Sequence, residues 1–556
     1  MATVYLRYFS PLLLILMLLG CTQKEERTKY IKGLERDNNI SFTHVNNYGI
    51  YIPSMCYTKT KDKSKVYNPC YSCHTKAKSP NYFNDAILQK EYNFPKEMMK
   101  NPYHNLFKDR KKEVALISNR EIMEYVNKSN YFSKDGTIIL SESLPVDWSG
   151  YRPDCYFNFD EDGFDKDKQG RYTLWRAFRY YPFLGSFWPT NGSTDDVMIR
   201  VDKKFSLDSK KEFNIEVYAL NLAIIEANVK QKSVPIALVD ESLYGVDIDG
   251  DGKLAIANEV TKNISYVGYA KQLLEKGDIY LVSGLFPLNT EFLHSVRYLG
   301  INKNNEVVIP KRMKELRYSK KVYWRNYSQL KQLADKERWE AETTQNDESQ
   351  LKIYRGDFEN GFDNEMGWLY QGFIEDKKGA LRPQTNEETI SCMGCHSALG
   401  ATTDSTFSFI RKFEGIEKNR NNFGWNHWTQ KGLSGIKERV VSYKIGLNKT
   451  QTTGEYAFYL KNSMGSEFRD NSEIRRTFFD TNGLPISSEI NKIAKDISIL
   501  LIPSKERALR LNKAYKLIVG EQSFSMGKDA NLEPMNSVYK DIKVKSTHIL
   551  STINPI

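Results

Sequence analysis

The chain has 556 residues, of which 40% are hydrophobic and 13% aromatic, and its formal net charge is +11. This composition supports packed cores in two to four domains and excludes a disordered chain. The positive charge is spread along the sequence, so a nucleic-acid partner is not indicated, whereas a basic surface suits an acidic redox partner or anionic lipid.

The first 20 residues have the pattern of a bacterial export signal. Arg7 precedes the apolar run Leu12–Leu19, which is too short for a permanent membrane helix. Cys21 ends the tetrapeptide Leu-Leu-Gly-Cys, which resembles the lipobox of bacterial lipoproteins and implies lipidation of Cys21 after cleavage before it. The inner-membrane retention signal known for such proteins is an aspartate at the next position. Thr22 therefore implies the outer membrane, with the protein facing the periplasm or the cell surface.

The rest of the chain predicts an α+β fold with several regions. Two mainly helical regions, each with one cysteine motif, are predicted to flank a strand-rich centre, and the mature chain keeps a charge near +10. The predicted regions are a signal peptide (1–20), a polar tether (21–50), an N-terminal region with one cysteine motif (51–130), a strand-rich middle (131–335), a charged linker (336–350) and a helical C-terminal domain with a second motif (351–556).

Local patterns predict individual elements within these regions. Residues 121–127 have the pattern of a short helix, and Ser504 is placed to cap a helix that ends near Val519. Its stripe Ala508, Leu511, Tyr515 and Ile518 predicts a face packed in a core. Runs of β-branched and aromatic residues predict strands at 197–201, 213–217, 278–282 and 306–309.

Two C-x-x-C-H motifs carry the strongest chemical signal: Cys70-Tyr-Ser-Cys73-His74 and Cys392-Met-Gly-Cys395-His396. Two cysteines at this spacing reach the two vinyl groups of a porphyrin, and the adjacent histidine binds the iron. A zinc site would need a second pair of ligands nearby, and a thioredoxin-like dithiol would follow a strand of a βαβ unit. The sequence therefore predicts two covalently bound haem c groups.

The ligand on the other side of each iron is open at this stage. His294 lies in the apolar segment Phe292–Leu299, which predicts a buried, neutral imidazole and makes it the candidate distal ligand. A buried histidine can equally be a hydrogen-bonded core residue. The remaining candidates are His44, His104, His427, Met55, Met99 and Met464.

Two acidic loops are candidate calcium sites. Asp247, Asp249 and Asp251 alternate before Gly252, as at the start of an EF-hand loop, although Glu259 falls one position beyond the usual twelfth residue. A looser version contains Asp160, Asp162 and Asp165. The alternative for both loops is a solvated Asp/Gly turn.

Two cysteines remain outside the lipid and haem motifs. Because the envelope is oxidising, Cys56 and Cys155 are a candidate disulfide, and two separate buried thiols are the alternative.

The two motifs resemble those of c-type cytochromes. The sequence around the second motif, Met393–Phe409, resembles large bacterial di-haem lipoproteins, and the layout is more distantly similar to the di-haem peroxidase and rubber oxygenase superfamily. The motif histidines are 322 residues apart, which is wider than in common peroxidases. The first hypothesis is electron transfer between envelope redox proteins. The second is an oxidoreductase with one open haem, whose catalytic residues and oligomeric state the sequence does not identify.

Overall fold

A large antiparallel sheet forms the centre of the molecule in the computed structural model, which describes residues 11–63, 65–185, 188–343, 351–414, 423–463 and 470–556. Side chains of residues 11–22 and 341–343 lie outside this description. The sheet has ten strands within the described residues, and eight of them follow the order β13-β14-β15-β12-β9-β6-β4-β3. The other two are β16, which pairs with β15, and β5, which pairs with β9. The mixture of helices and strands confirms the α+β class.

The strands of the described residues include this sheet, three two-stranded ribbons (β1-β2, β7-β8 and β10-β11) and a three-stranded sheet (β18-β17-β19). Their bounds are β1 (Lys61–Asp62), β2 (Lys65–Val66), β3 (Phe164–Lys166), β4 (Tyr172–Ala177), β5 (Thr194–Asp195), β6 (Met198–Arg200), β7 (Val234–Asp240), β8 (Ile256–Val260), β9 (Glu291–Arg297), β10 (Gly300–Ile301), β11 (Val307–Val308), β12 (Met313–Lys321), β13 (Arg355–Asp357), β14 (Gly361–Asp363), β15 (Trp368–Glu375), β16 (Leu381–Pro383), β17 (Val440–Ile445), β18 (Lys449–Gly454) and β19 (Ile553–Pro555).

Most of the helices in the described residues are short. The α-helices of the described residues are α1 (Pro11–Asn38), α2 (Lys111–Leu116), α3 (Asn119–Asn127), α4 (Ile139–Ser143), α5 (Ile215–Lys230), α6 (Gly268–Lys276), α7 (Tyr327–Thr343), α8 (Asn386–Ile390), α9 (Glu455–Ser463), α10 (Ser472–Phe478), α11 (Ser487–Ile493), α12 (Ser498–Leu501) and α13 (Lys505–Glu521). Short 3-10 helices are Tyr48–Tyr51, Ser54–Tyr57, Cys70–Ser72, Ala86–Gln89, Lys96–Met98, His104–Phe107, Pro189–Asn191, Lys203–Ser206, Glu241–Leu243 and Phe524–Met526.

The helix α13 forms as its sequence predicts. The Ser504 hydroxyl accepts a hydrogen bond from the Arg507 amide at 3.2 Å, and the helix ends at Gln522 in the left-handed conformation. The predicted stripe is buried, with Ala508 and Ile518 fully enclosed. Satisfying a free amide at the first turn and burying one apolar face are the two effects that stabilise such a helix.

The predicted tether differs from the structure. Residues 23–38 continue α1, and its side chains Tyr30, Ile31 and Leu34 pack against the core cluster that contains Trp148. The Asn38 side chain accepts a hydrogen bond from the Lys377 amide at 2.9 Å. An apolar stripe inside a mostly charged segment therefore fixes this part of the chain to the body.

The predicted division at residues 336–350 also differs from the structure. Strands β13–β16, which lie beyond it, belong to the same sheet as β3–β6, β9 and β12. The region around the first motif contains mainly 3-10 turns, and it packs against the C-terminal residues: the Gln89 amide donates to the carbonyl of Ile553 at 2.7 Å. The sheet therefore forms one packed unit with both the N-terminal motif region and the C-terminal residues.

Candidate functional site

Both C-x-x-C-H motifs adopt the same backbone turn. The His74 amide donates to the Cys70 carbonyl at 3.0 Å, and the His396 amide donates to the Cys392 carbonyl at 3.1 Å. This single helical turn gathers the two cysteines and the histidine of each motif. The four thiols are free, and burial raises the pKa of Cys70 to about 12 and that of Cys395 to about 11. A reactive redox dithiol has a lowered pKa instead.

Each turn is anchored by the residue that follows its first cysteine. Tyr71 is buried in the cluster formed with α9–α12, where its ring meets Phe458 at 5.6 Å. Met393 is fully buried in the cluster around α5. The residues between the cysteines therefore tie the two turns to two different cores.

The helix α8 leads directly into the second motif. Thr385 and Glu388 form a reciprocal capping box at its first turn, and Arg382 holds the Glu388 carboxylate with two hydrogen bonds of 2.8 and 2.9 Å. The Arg382 and Glu388 side chains are almost completely buried. A paired, hydrogen-bonded charge in the interior has one favourable geometry, so this pair fixes where the turn begins.

The two motifs, distant in sequence, are close in the fold, because the loop that follows the second motif contacts the first. The Ala401 amide donates to the Cys73 carbonyl at 3.2 Å. The Asn81 side chain donates to the carbonyls of Leu399 and Thr402 at 2.7 and 3.0 Å. The loop that follows His396 therefore lies against the turn that contains Cys73.

Asp85 is the central residue of this contact, and the sequence analysis did not identify it. Its Oδ2 contacts His74 Nδ1 at 2.9 Å, and its Oδ1 accepts the amides of Thr75 at 2.9 Å and Gly400 at 3.2 Å. Asp85 lies eleven residues after His74 in a loop without periodicity. No sequence pattern distinguishes it from a solvated turn residue.

The motif histidines have different partners. His74 Nδ1 faces a carboxylate, whereas His396 Nδ1 lies 3.4 Å from the backbone carbonyl of Ser405. In both, the contact occupies Nδ1 and leaves Nε2 for a metal. Burial, with His294 nearby, lowers the pKa of His396 to about 3, so its imidazole is neutral and able to bind iron.

A large cavity opens beside the second motif. It has about 2070 Å³ of empty volume, including the space open to solvent at its mouth. One wall is a face of the sheet, where β9 and β12 place His294 beside Arg317 in register. The cavity is lined by residues that include Met55, Tyr180, Asp195, His294, Arg317, Tyr370, Cys392, Cys395, His396 and Phe407.

His294 faces this cavity together with His396. Its side chain is 29% exposed, so the expectation of full burial is wrong: the ring points from β9 into the cavity instead of into a core. Its Nδ1 lies 3.4 Å from Asp195 Oδ1, which again leaves Nε2 available. Met55, a second predicted candidate, lines the same cavity. His294 as the distal ligand stays a prediction.

The other predicted ligands lie elsewhere. His427 is buried, with Nε2 2.9 Å from Asp196 and Nδ1 2.7 Å from Thr429, so both ring nitrogens are used. It is a core histidine. His44 and His104 are exposed, and Met99 packs against the core that contains Tyr57. Met464 lies outside the described residues.

The predicted disulfide between Cys56 and Cys155 is wrong. Both thiols are free and belong to different cores. Cys155 is buried with Tyr131 and Trp175, whereas Cys56 packs in the cluster that also contains Met393. Burial raises the pKa of both thiols. They match the alternative of two separate buried cysteines.

The first acidic loop brings carboxylates together. Ligand atoms of Asp247, Asp249 and Glu241 lie within 4.8 Å of one another. Glu241, which the sequence pattern does not indicate, is the third member of this group instead of Asp251. The Asp251 carboxylate accepts the Lys253 amide at 2.8 Å. These carboxylates also accept backbone amides of the loop, as in a solvated turn. Calcium at this loop stays a prediction.

The second acidic loop does not converge. Asp165 is buried and accepts the amides of Tyr156 and Asn158, while Asp160 binds the amides of its own turn. Among the described residues, Asp160, Asp162 and Asp165 form no group of converging ligand atoms, and calcium at this loop stays a prediction without support from the geometry. The Asp165 carboxylate is directed inward because it organises the backbone.

The fold and site define an α+β protein that brings two C-x-x-C-H turns close together, with a cavity beside the second turn. A model of a lipoprotein family matches residues 39–499. A protein of Aquifex aeolicus (strain VF5), named as an uncharacterized lipoprotein, is 32% identical over 519 residues, which cover 86% of this chain and 85% of that protein. No solved structure gives a significant match.

The chain therefore belongs to this lipoprotein family. Membership makes it a membrane-anchored protein of the cell envelope. Within the part of the chain that the structure describes, no helix has the length and apolar character needed to cross a membrane. The side chain of Cys21, the predicted lipid site, lies outside the described residues.

Proposed function

We propose that this lipoprotein is a di-haem c-type cytochrome that transfers electrons in the bacterial envelope, at the outer membrane. The observation that carries the proposal is the contact between the first C-x-x-C-H turn and the loop that follows the second. In each turn the histidine amide donates to the carbonyl of the first cysteine, and both thiols are free. Cys70, Cys73 and His74 would hold one haem, and Cys392, Cys395 and His396 the other. Bound haem c would supply one-electron exchange between ferric and ferrous iron.

The arrangement of the thiols favours two prosthetic groups over one shared metal ion. A tetrahedral zinc site with sulfur ligands at ≈2.3 Å needs sulfurs about 4 Å apart. Among the described residues, three or more ligand atoms come within 4.8 Å of one another only at Glu241, Asp247 and Asp249. Each motif therefore supports its own group.

The surroundings of the motifs support haem as that group. Each histidine has its Nδ1 oriented by an acceptor, which is the arrangement that metal-binding histidines require. The cavity beside His396 has an aromatic lining, with the Tyr370 ring 4.9 Å from the His396 ring. A porphyrin is large and apolar, so an aromatic cavity next to a buried neutral imidazole suits it.

The contact between the motifs supports electron transfer as the function. Two redox groups attached to touching turns would exchange electrons without a mobile carrier. The net charge of +11 suits docking of an acidic redox partner, and Thr22 after Cys21 favours the outer membrane.

A second candidate is a peroxidase- or oxygenase-like enzyme with one open haem. The cavity of about 2070 Å³ favours it, because Asp195, His294 and Tyr180 supply polar groups to the cavity that His396 also lines. Optical spectra separate the two. Two low-spin haems inert to cyanide and carbon monoxide indicate the carrier, and one high-spin ferric haem that binds cyanide indicates the enzyme.

The attachment claim is tested by mass spectrometry after expression with a cytochrome c maturation system. The intact protein should carry two covalent haems that survive acidified-solvent extraction. The double variant Cys70→Ala/Cys73→Ala should carry one, as should Cys392→Ala/Cys395→Ala. An intact protein without covalent haem would refute the proposal.

A further inference from the structure

One carboxylate contacts both the first attachment turn and the loop that follows the second. Asp85 Oδ2 lies 2.9 Å from His74 Nδ1, and Asp85 Oδ1 accepts the amides of Thr75 and Gly400. Gly400 follows His396 by four residues. The Asp85 side chain is only 14% exposed, so water competes little for these contacts.

We propose that Asp85 is a positioning residue for both haem sites, with a separate task for each carboxylate oxygen. Oδ2 orients His74 as an iron ligand, and Oδ1 fixes the loop after His396 against the first turn. The inference rests on the proposed function, since it assigns these tasks toward two haems.

The contact at Oδ2 makes His74 a stronger donor to iron than His396. A histidine that donates its second N–H to a carboxylate gains electron density at the ligating nitrogen, and a backbone carbonyl has a smaller effect. The His396 contact, to the Ser405 carbonyl, is also longer, at 3.4 Å. Electron-rich ligands stabilise ferric iron, so this contact lowers the reduction potential at His74.

The contact at Oδ1 requires glycine at position 400. A Cβ atom there would lie 1.9 Å from the Thr75 carbonyl oxygen and 2.5 Å from Asp85 Oδ1. The two backbones approach this closely because two amides, from Thr75 and Gly400, share one carboxylate oxygen. The loop that continues to Ser405, the acceptor for His396, is thereby held at its start.

The substitution Asp85→Asn separates the two tasks. Its side-chain oxygen can still accept the amides of Thr75 and Gly400, but an NH₂ group replaces the acceptor at His74. We expect the potential of the His74 haem to rise and the spectrum of the His396 haem to stay unchanged. Asp85→Ala removes both contacts, so both haem spectra should change.

Each potential is measured by optical redox titration of single-haem variants. Cys392→Ala/Cys395→Ala leaves only the first haem, and Cys70→Ala/Cys73→Ala leaves only the second. Asp85→Glu should restore much of the lower potential at His74. Asn84→Ala is the matched control: Asn84 caps the Ala77 amide at 2.9 Å in the same loop, and its substitution should leave both potentials unchanged.

The outcomes distinguish this inference from the proposed function. Absence of covalent haem in the intact protein refutes the function itself. If Asp85→Asn carries two covalent haems and the reduction potential of the His74 haem is unchanged, the Asp85 proposal alone is overturned. Equal shifts of both potentials in Asp85→Asn, or the same shift in Asn84→Ala, also overturn it, because they indicate general loosening of the loop.

Discussion

Two histidines near the attachment turns have carboxylate partners. His74 contacts Asp85, and His294 contacts Asp195. In each pair Nδ1 faces the carboxylate, so Nε2 is free to bind a metal. The first histidine belongs to a motif, whereas the second reaches the cavity of the other motif from the central sheet. This arrangement favours His294 as the distal ligand of the second haem.

Substitution of His294 tests this assignment. In His294→Ala, one low-spin haem should become high-spin and open to carbon monoxide and cyanide, because its iron loses one axial ligand. The other haem should be unaffected. Optical and electron paramagnetic resonance spectra of the ferric protein measure the change.

The control is His104→Ala, which removes an exposed histidine in a 3-10 helix. It should leave both spectra as in the parent protein. If His294→Ala folds with unaltered spectra, His294 is not a ligand, and Met55, which lines the same cavity, becomes the first alternative.

The sequence identifies the proposed attachment residues but not the carboxylates near them. Five residues in a row define each motif, so Cys70 and His74 can be recognised without a fold. Asp85 and Asp195 acquire their roles from loop packing and from strand pairing, respectively. Ordinary aspartates in irregular sequence give no signal of such contacts.

At the level of elements, short sequence patterns predict a helix or strand correctly where neighbouring residues determine its conformation. The predicted short helix at 121–127 and the strands at 197–201 and 306–309 are confirmed within α3, β6 and β11. The predicted strand at 213–217 is wrong. The Asn214 side chain accepts the amides of Glu216 and Val217 and starts α5, which is buried on nearly all sides.

A helix buried all round shows no amphipathic period, so its sequence is easily mistaken for strands. The predicted strand at 278–282 is also wrong, because the segment makes no strand pairing. Tyr280 instead stacks on Trp324, with the ring centroids 5.3 Å apart. Side-chain packing decides the conformation there, and the sequence does not reveal the partner.

Strand β12 carries a buried ion pair on the cavity wall, and its contribution to stability depends on pH. Although burial opposes ionisation, Arg317 and Lys528 lower the pKa of Glu315 to about 2. Its carboxylate lies 3.0 Å from Arg317 and 3.2 Å from Lys528. Because the pKa of Glu315 is lower in the folded than in the unfolded protein, its ionised carboxylate stabilises the fold at pH values above the unfolded pKa near 4.5. This contribution is lost as the pH falls toward the folded pKa near 2.

Glu315→Gln should therefore lower the free energy of unfolding at pH 7 by about 3 kcal/mol. The difference from the parent protein should shrink below pH 4.5, as the parent carboxylate becomes protonated. Urea unfolding at pH 7, 5 and 3.5 measures it. The exposed Glu142→Gln should have little effect at any pH, and a difference for Glu315→Gln that is constant down to pH 3.5 would contradict the ion-pair explanation.

At the level of the whole molecule, sequence composition suggested domains that the sheet unites. The predicted change from strands to helices at residue 351 is wrong for its first part, because the segment that follows forms β13–β16 and completes the sheet begun by β3. The C-terminal strand β19 likewise ends beside the first motif, where Asn554 accepts the Lys76 amide at 2.9 Å. Such long-range pairings depend on the fold as a whole, so local composition cannot predict them.

The same packing limits how far the body lies from its anchor. The side chain of Arg27 pairs with Glu359, and Tyr30, Ile31 and Leu34 pack against the body. Arg27 follows Cys21 by only six positions. At 1.5 Å per helical residue they span about 9 Å. A lipid at Cys21 would therefore hold the body close to the membrane rather than on a long tether.

Cys21→Ser tests this anchor. The variant should lose its acyl chains and leave the membrane fraction, because each buried CH₂ contributes about 0.8 kcal/mol to membrane binding. Fractionation with a high-salt wash removes protein that a net charge of +11 holds on anionic lipid. Thr22→Ser, which keeps the thiol, should remain in the membranes. Retention of Cys21→Ser after the wash would show that another part of the chain binds the membrane. A lipid at Cys21 would then not be what holds the body close to the membrane.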